Sequence, residues 1–95
     1  MKHKPWNIVF HELIGLQVKI LKSLNPGTEG LEGIVVGESS RTLLIVSKGK
    51  TLRILKQGTL FLFLLPSGEK VLVEGDNILG DPAERTKRLK RGRRR

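Results

Sequence analysis

The chain has 95 residues, a length that supports one modest hydrophobic core and excludes a second independently folded domain. It carries 18 Lys and Arg against nine Asp and Glu, a formal charge of +9, and it has no cysteine, which excludes disulfides and thiolate metal sites. The N-terminus lacks the apolar stretch of a signal peptide, and the longest apolar run, Leu60 to Leu65, is far shorter than the roughly 20 residues of a spanning helix. We expect a cytoplasmic protein with no membrane partner.

The positive charge is concentrated at the C-terminal end. Eight of the 18 cations lie between Arg85 and Arg95, whereas residues 1–83 hold ten cations and eight acids. A basic segment on a nearly neutral body favours a polyanionic partner, and nucleic acid is the first candidate. A segment that only improves solubility is the alternative, and an adaptor to an anionic membrane is a weaker one.

In chain order, the first predicted element is a short helix over residues 7–15, with Asn7 as its N-cap and Gly15 as its stop. From Leu16 to Ile20 apolar and polar residues alternate, which predicts a strand with one face in a core. Five further short segments rich in β-branched and apolar residues predict strands at Leu31–Glu38, Thr42–Ser47, Thr51–Lys56, Leu60–Leu65 and Lys70–Glu74.

Brief turn sequences join the six predicted strands, which favours antiparallel neighbours. A small sheet of this kind avoids exposed edges by curling, so we expect an all-β, six-stranded antiparallel barrel with a short N-terminal helix. Gly33 and Gly37 would permit the sharp bend that closure requires. Because Leu60–Leu65 is apolar on both faces, we expect it to be fully buried, with Phe61 and Phe63 in the core and not in a base-stacking platform.

After the last strand, residues 81–84 carry an acid at the N-cap position, a proline in the first turn and a glutamate three residues on, which predicts a helix start at Pro82. The residues that follow are mostly cations, so this helix should be marginal without a partner. We expect Arg93 to Arg95 to be disordered in the free protein. The chain is thus divided into an N-terminal arm and helix (1–15), a barrel (16–80) and a basic helix and tail (81–95), within one domain overall.

Motifs that would indicate catalysis or metal binding are weak in this sequence. The segment 49–51 (Gly-Lys-Thr) matches the end of a phosphate-binding P-loop, but Leu44 stands where the pattern needs glycine, and the segment joins two strands. His3 and His11 have no carboxylates at ligand spacing, and the acids between 69 and 81 sit at turns with no base beside them. We therefore expect no metal ligand and no catalytic residue in this chain.

Cations on predicted strand exteriors and turns are the candidates for phosphate contact, although each is also explained as an ordinary surface side chain. Lys56 is the exception. It shares the strand parity of Leu52 and Ile54, so it must either emerge at the barrel rim or have a buried partner. The predicted RNA-contacting residues are Lys19, Arg41, Lys48, Lys50, Arg53 and Lys56 in the barrel, and Arg85, Lys87, Arg88, Lys90 and Arg91 in the tail.

Several motifs, taken in order, resemble the archaeal ribonuclease P protein component 1 family, which is shared with eukaryotic ribonuclease P and ribonuclease MRP. The resemblance covers residues 7–91, and it departs from the family at Ser39, where threonine is frequent. The motifs are residues 11–15 (HELIG), 32–39 (EGIVVGES), 54–56 (ILK), Gly75 and 81–85 (DPAER).

The resemblance implies an Sm-like six-stranded barrel and a non-catalytic subunit that binds the ribonuclease P RNA. The active site of that RNA uses magnesium to remove the 5′ leader from precursor tRNA, so no cofactor is expected on this chain. A zinc-binding protein subunit is the implied partner. Lys56 and Arg85 are expected to contact RNA, and Glu38 to orient neighbouring groups at a turn. The supporting motif positions are Glu12, Gly33, Glu38 and Ser39.

Two other functions fit the same composition. A ribosomal or other ribonucleoprotein structural protein with an SH3-like barrel would have the same charge pattern. A self-sufficient endoribonuclease would have to use the few clustered acids as its catalytic groups.

Overall fold

A computed structural model describes residues 13–80, which form a six-stranded antiparallel sheet. The sheet order is β4-β3-β2-β1-β5-β6. Two short 3₁₀ helices, Pro26–Thr28 and Gly75–Ile78, follow β1 and β6. The strands are β1 (Gln17–Lys22), β2 (Glu32–Glu38), β3 (Thr42–Ser47), β4 (Lys50–Leu55), β5 (Leu60–Leu64) and β6 (Lys70–Glu74).

This architecture confirms the predicted all-β class and its six strands. The sheet curls so far that its two end strands approach each other. The contact that shows this joins Lys56, directly after β4, to Gly75, directly after β6. A Cβ added to Gly75 would collide with the Lys56 carbonyl oxygen. The predicted N-terminal helix lies mostly outside the described residues, and the predicted C-terminal helix lies wholly outside them. No helix within residues 13–80 has both the length and the apolar character needed to cross a membrane.

In strand β1 the burial of the side chains follows the alternation of apolar and polar residues in the sequence. Val18 and Ile20 are buried, while Gln17 and Lys22 are exposed. In the pairing with β5 the register shifts between Ile20 and Lys22, which makes Leu21 an extra residue in the strand. This bulge breaks the alternation, and for that reason the sequence pattern placed the end of the strand two residues too early.

The core fills the inside of the curled sheet and receives side chains from every strand. Phe61 and Phe63 of β5 are fully buried, with ring centroids 5.7 Å apart, which confirms their predicted core position. Leu62 and Leu64 are only half-buried, so the predicted burial of both faces of this segment is wrong. The buried strand residues are Val18, Ile20, Val35, Leu43, Ile45, Ile54, Phe61, Phe63, Val71 and Val73.

Strands β3 and β4 form a tight hairpin through Lys48 and Gly49. Both residues have positive φ, 52° and 78°, as in the type I′ turn that matches the twist of the flanking strands. Ser47 and Lys50 pair directly across this turn. The structure therefore confirms the hairpin interpretation of residues 49–51, and a P-loop is excluded because no helix follows the glycine-containing segment.

Candidate nucleic-acid interface

The longest stretch without an acidic residue runs from Ser39 to Gly68. It contains the whole β3–β4 hairpin. The six acids between residues 13 and 80 all lie outside this stretch. Its exposed cations are Arg41, Lys48, Lys50 and Arg53, which we call the hairpin cations. The fold thus gathers four predicted contact residues on one element that carries no opposing charge.

The hairpin cations are distributed along the length of the hairpin. Arg41 precedes β3, whereas Lys48 lies in the turn at the other end and Lys50 begins β4 directly after it. Arg53 pairs with Leu44 and points outward, since its neighbour Ile54 is buried. A six-residue strand spans about 20 Å, so these charges suit a run of several phosphates better than a single one.

Lys56 has a different environment, although sequence motifs grouped it with the RNA contacts. Its side chain is 0% exposed, and the ammonium donates to Glu38 Oε2 at 2.7 Å. It also donates to the backbone carbonyls of Gly80 at 2.9 Å and Ser40 at 3.3 Å. Of the two possibilities left by strand parity, the buried partner is therefore confirmed. A direct phosphate contact requires an exposed ammonium, so we replace that assignment with a structural one.

The contacts of Lys56 join three parts of the chain. Glu38 ends β2, Ser40 lies in the loop before β3, and Gly80 is the last described residue. Two backbone hydrogen bonds connect the same segments. The Gly80 amide donates to the Ser40 carbonyl at 2.7 Å, and the Lys56 amide donates to the Arg41 carbonyl at 2.8 Å. We call this group of contacts the Lys56 clamp.

Strand parity marks Lys56 as unusual, but no sequence pattern indicates Ser40 and Gly80. Both act through backbone carbonyls, which leave no side-chain pattern in a sequence. Glu38 was expected to orient neighbouring groups at a turn, and it contacts the Lys56 ammonium where β2 ends. Ser39 lies in the next loop, with its hydroxyl 2.6 Å from the Thr42 hydroxyl.

Lys19 is separated from the hairpin cations. It lies on β1, three strands away from β4 in the sheet order, and forms an exposed ion pair with Glu32 at 3.6 Å. A phosphate would have to compete with that carboxylate for the Lys19 ammonium. Among the predicted site residues, Glu12, Arg85, Lys87, Arg88, Lys90 and Arg91 lie outside the described residues.

Gly33 has a steric role that its motif position did not reveal. A Cβ at this position would collide with the Val46 carbonyl oxygen and would lie 2.7 Å from Ile45 Cγ2. Any larger residue would therefore force β2 and β3 apart. Bending was predicted for both glycines of β2, and the register of β2 against β3 does shift between Val35 and Gly37.

The described residues do not bring metal ligands together. Between Leu13 and Gly80 there is no group of three or more His, Cys, Asp or Glu side chains that could hold a metal ion. What this part of the chain offers instead is exposed positive charge on the β3–β4 hairpin and the buried Lys56 clamp beside one end of it.

Comparison with known proteins gives a consistent family. The sequence model described as Ribonuclease P/MRP, subunit p29 matches residues 6–88. The chain is similar to Ribonuclease P protein component 1 of Hyperthermus butylicus, with 49% identity over 92 residues that cover 96% of this chain and 83% of that protein. It is also similar to the protein of the same name from Staphylothermus marinus, with 44% identity, covering 96% and 100% of the two chains.

A solved structure supports the same relationship. The fold is similar to that described as "Structure of Mth11: A homologue of human RNase P protein Rpp29", with a TM-score of 0.60 and 37% identity over 78% of this chain and 96% of that chain. The alternative of a ribosomal or other structural protein is not favoured, because sequence and fold both match the same family. The chain belongs to the ribonuclease P/MRP subunit p29 family.

Proposed function

We propose that this chain is the RNA-binding protein subunit of ribonuclease P and that it binds the phosphate backbone of the ribonuclease P RNA. The observation that carries the proposal is the acid-free β3–β4 hairpin with its four exposed cations. Family membership indicates the complex in which this chain acts, since similar proteins are named Ribonuclease P protein component 1. The basic segment after Arg85 supplies a second region of positive charge.

The chemistry of the hairpin favours phosphate contact over base recognition. Lys and Arg side chains bind phosphate oxygens regardless of sequence, whereas single-stranded RNA readers usually stack bases on exposed aromatic rings. Phe61 and Phe63 are buried and cannot serve as such a platform. Binding by the hairpin should therefore be strongly salt-dependent and should position the subunit on a structured RNA without reading its sequence.

In this proposal the chain contributes no catalytic group. The active site belongs to the RNA, which uses magnesium to remove the 5′ leader from precursor tRNA, and this chain binds no cofactor of its own. A zinc-binding protein subunit is the expected protein partner within the complex, and the cytoplasm is the expected location.

Matched charge removals in the full chain test the RNA-binding proposal. Lys48 lies in the hairpin turn and Lys50 directly follows it, whereas Lys22 and Lys70 are exposed on other strands and serve as the control pair. Each pair is replaced by glutamine, and affinity for the cognate ribonuclease P RNA is measured at several salt concentrations. Loss of two duplex-like phosphate contacts should flatten the slope of log affinity against log salt by up to about 1.8.

The control pair should leave that slope within error of the wild type. Equal losses from the two pairs would mean that net charge alone governs binding, and the hairpin would then not be the contact surface. Failure of the wild-type chain to bind the RNA would overturn the proposed function itself.

A further inference from the structure

A hollow of about 230 Å³ lies between the loop after β1 and the connection from β4 to β5. We call it the Leu55 hollow. Its volume is below the roughly 300–1,000 Å³ of pockets that take drug-sized ligands, so it suits a smaller ligand such as one planar ring system. The residues that line it include Leu24, Asn25, Arg53, Leu55, Gln57 and Thr59.

Two leucines give the Leu55 hollow exposed apolar walls. Leu24 is 78% exposed and Leu55 is 59% exposed. The Leu24 side chain lies against the backbone of Gly58, since a Cβ added to that glycine would be only 2.7 Å from Leu24 Cδ1. A single exposed leucine is ordinary on a protein surface, but two that line the same hollow offer apolar contact area to a ligand.

Hydrogen bonds brace both sides of the hollow without a ligand. In the loop after β1, the Asn25 backbone amide donates to Ser23 Oγ and the Gly27 amide donates to Asn25 Oδ1, each at 3.0 Å. On the other side, Thr59 Oγ1 donates to the Leu55 carbonyl at 2.8 Å. A ligand therefore meets a hollow that is already formed, which lowers the entropic cost of binding.

The charge of the Leu55 hollow is complementary to nucleic acid. Within the described part of the chain no acidic residue lines it, whereas Arg53, one of the hairpin cations, does. Glu29 and Asp76 lie in neighbouring loops, where each accepts a hydrogen bond from a backbone amide. The side chains of Arg53 and Gln57 bond to no residue that the structure describes, so both can bind a ligand.

These groups match the parts of one unpaired nucleotide. A guanidinium plane stacks on a base or pairs with a phosphate, and apolar side chains cover the faces of a base that has left its stack. The Gln57 amide carries an oxygen acceptor and an NH₂ donor, which can bond to the edge of a base. An apolar protein side chain would use the leucines but would have no use for the cation.

We propose that the Leu55 hollow binds one unpaired nucleobase of the ribonuclease P RNA, beside the phosphates held by the hairpin cations. The inference rests on the proposed RNA-binding function and adds to it a contact with a base. A paired base is stacked on its neighbours and its edge is occupied, so the hollow selects a nucleotide in a bulge, a loop or a single-stranded joint.

Site-specific crosslinking tests this placement, because the chain has no cysteine of its own. Leu55→Cys and Leu72→Cys are introduced singly into the full chain and coupled to a thiol-reactive photocrosslinker. Leu72 is the matched control, since it is 62% exposed but lies on β6 outside the hollow. Each protein is irradiated in the reconstituted complex with the ribonuclease P RNA, and the crosslinked nucleotides are mapped by primer extension.

The crosslinker at residue 55 should mark unpaired nucleotides that the crosslinker at residue 72 does not mark. Crosslinks from residue 55 to paired nucleotides only, to another protein subunit only, or to the same nucleotides as from residue 72 would overturn the inference. The absence of any RNA crosslink from residue 55 would overturn it as well.

RNA affinity gives a second test that separates the base contact from the phosphate contacts. Leu55→Ala should weaken binding of the ribonuclease P RNA roughly fivefold, at the lower end of the loss for one stacked base, and should leave the salt slope unchanged because no charge is removed. Leu72→Ala should bind like the wild type. Equal affinities of the two variants would overturn the inference, whereas a wild-type chain that does not bind the RNA would overturn the proposed function instead.

Discussion

Replacing Lys48 by asparagine should stabilise the fold and weaken RNA binding at the same time. Lys48 has a φ of 52°, in the left-handed region that costs most L-residues roughly 1–2 kcal/mol. Asparagine adopts this conformation more readily and is favoured before glycine in a type I′ turn. We expect a gain of roughly 0.5–1 kcal/mol, which corresponds to a melting temperature higher by about 2–8 °C for a chain of this size.

The same substitution removes one of the hairpin cations. Lys48 is exposed, and no salt bridge within residues 13–80 engages its ammonium. Glu29 and Glu32 line the hollow beside it, but Glu29 accepts from the Ser23 amide and Glu32 pairs with Lys19. We therefore expect Lys48→Asn to flatten the salt slope of RNA affinity by up to about 0.9.

Thermal unfolding and RNA titration of the same preparations measure the two effects. Lys50→Asn is the control for charge, because it removes a cation at the same turn without relieving a left-handed backbone. Lys22→Asn is the control for position, because Lys22 shares its hollow with Glu74 and Asp76. A lower melting temperature for Lys48→Asn would refute the backbone argument, and an unchanged salt slope would refute the phosphate contact.

Two further predictions concern stability and are read from denaturant unfolding of full-length variants. Gly33→Ala should lower the free energy of unfolding by about 2–3 kcal/mol, because the new Cβ would collide with the Val46 carbonyl. Gly27→Ala should be nearly neutral, because its Cβ would meet only an exposed side chain at 3.3 Å. Similar losses at both positions would contradict the steric argument. Glu38→Gln alone should cost about 3–5 kcal/mol because it leaves the Lys56 ammonium buried without its carboxylate, and adding Lys56→Met should restore part of that loss. A double variant less stable than Glu38→Gln would show that the pair itself stabilises the fold.

Local sequence patterns were sufficient to predict most of this barrel. The alternation in β1, the apolar runs of β2 to β6 and the turn residues between them predict six strands. Five of them, β2 to β6, end within one residue of the predicted position, and two of these, β3 and β6, match at both predicted ends. These features depend on neighbours along the chain, which a sequence shows directly. The bulge after Ile20 does not depend on neighbours along the chain, since it arises from the pairing of β1 with the distant strand β5.

The site was predicted less completely, for a similar reason. Strand parity indicated that Lys56 was either at a rim or buried with a partner, but its contact with Glu38 joins residues 18 positions apart. The carbonyls of Ser40 and Gly80 carry no side-chain signal at all. Charge alone groups Lys19 with the hairpin cations, and only the sheet order shows that two strands, β2 and β3, separate it from β4.

Reconstituted cleavage of precursor tRNA tests the central claim most directly. The cognate ribonuclease P RNA is combined with the other protein subunits, with and without this chain, and removal of the 5′ leader is followed at physiological salt and limiting magnesium. We predict that the chain accelerates cleavage only when the RNA is present, and that Lys48 and Lys50 replaced by glutamine reduce this effect while Lys22 and Lys70 replaced by glutamine do not. Cleavage by the protein without RNA, or equal activity of the complex with and without the chain, would contradict the account.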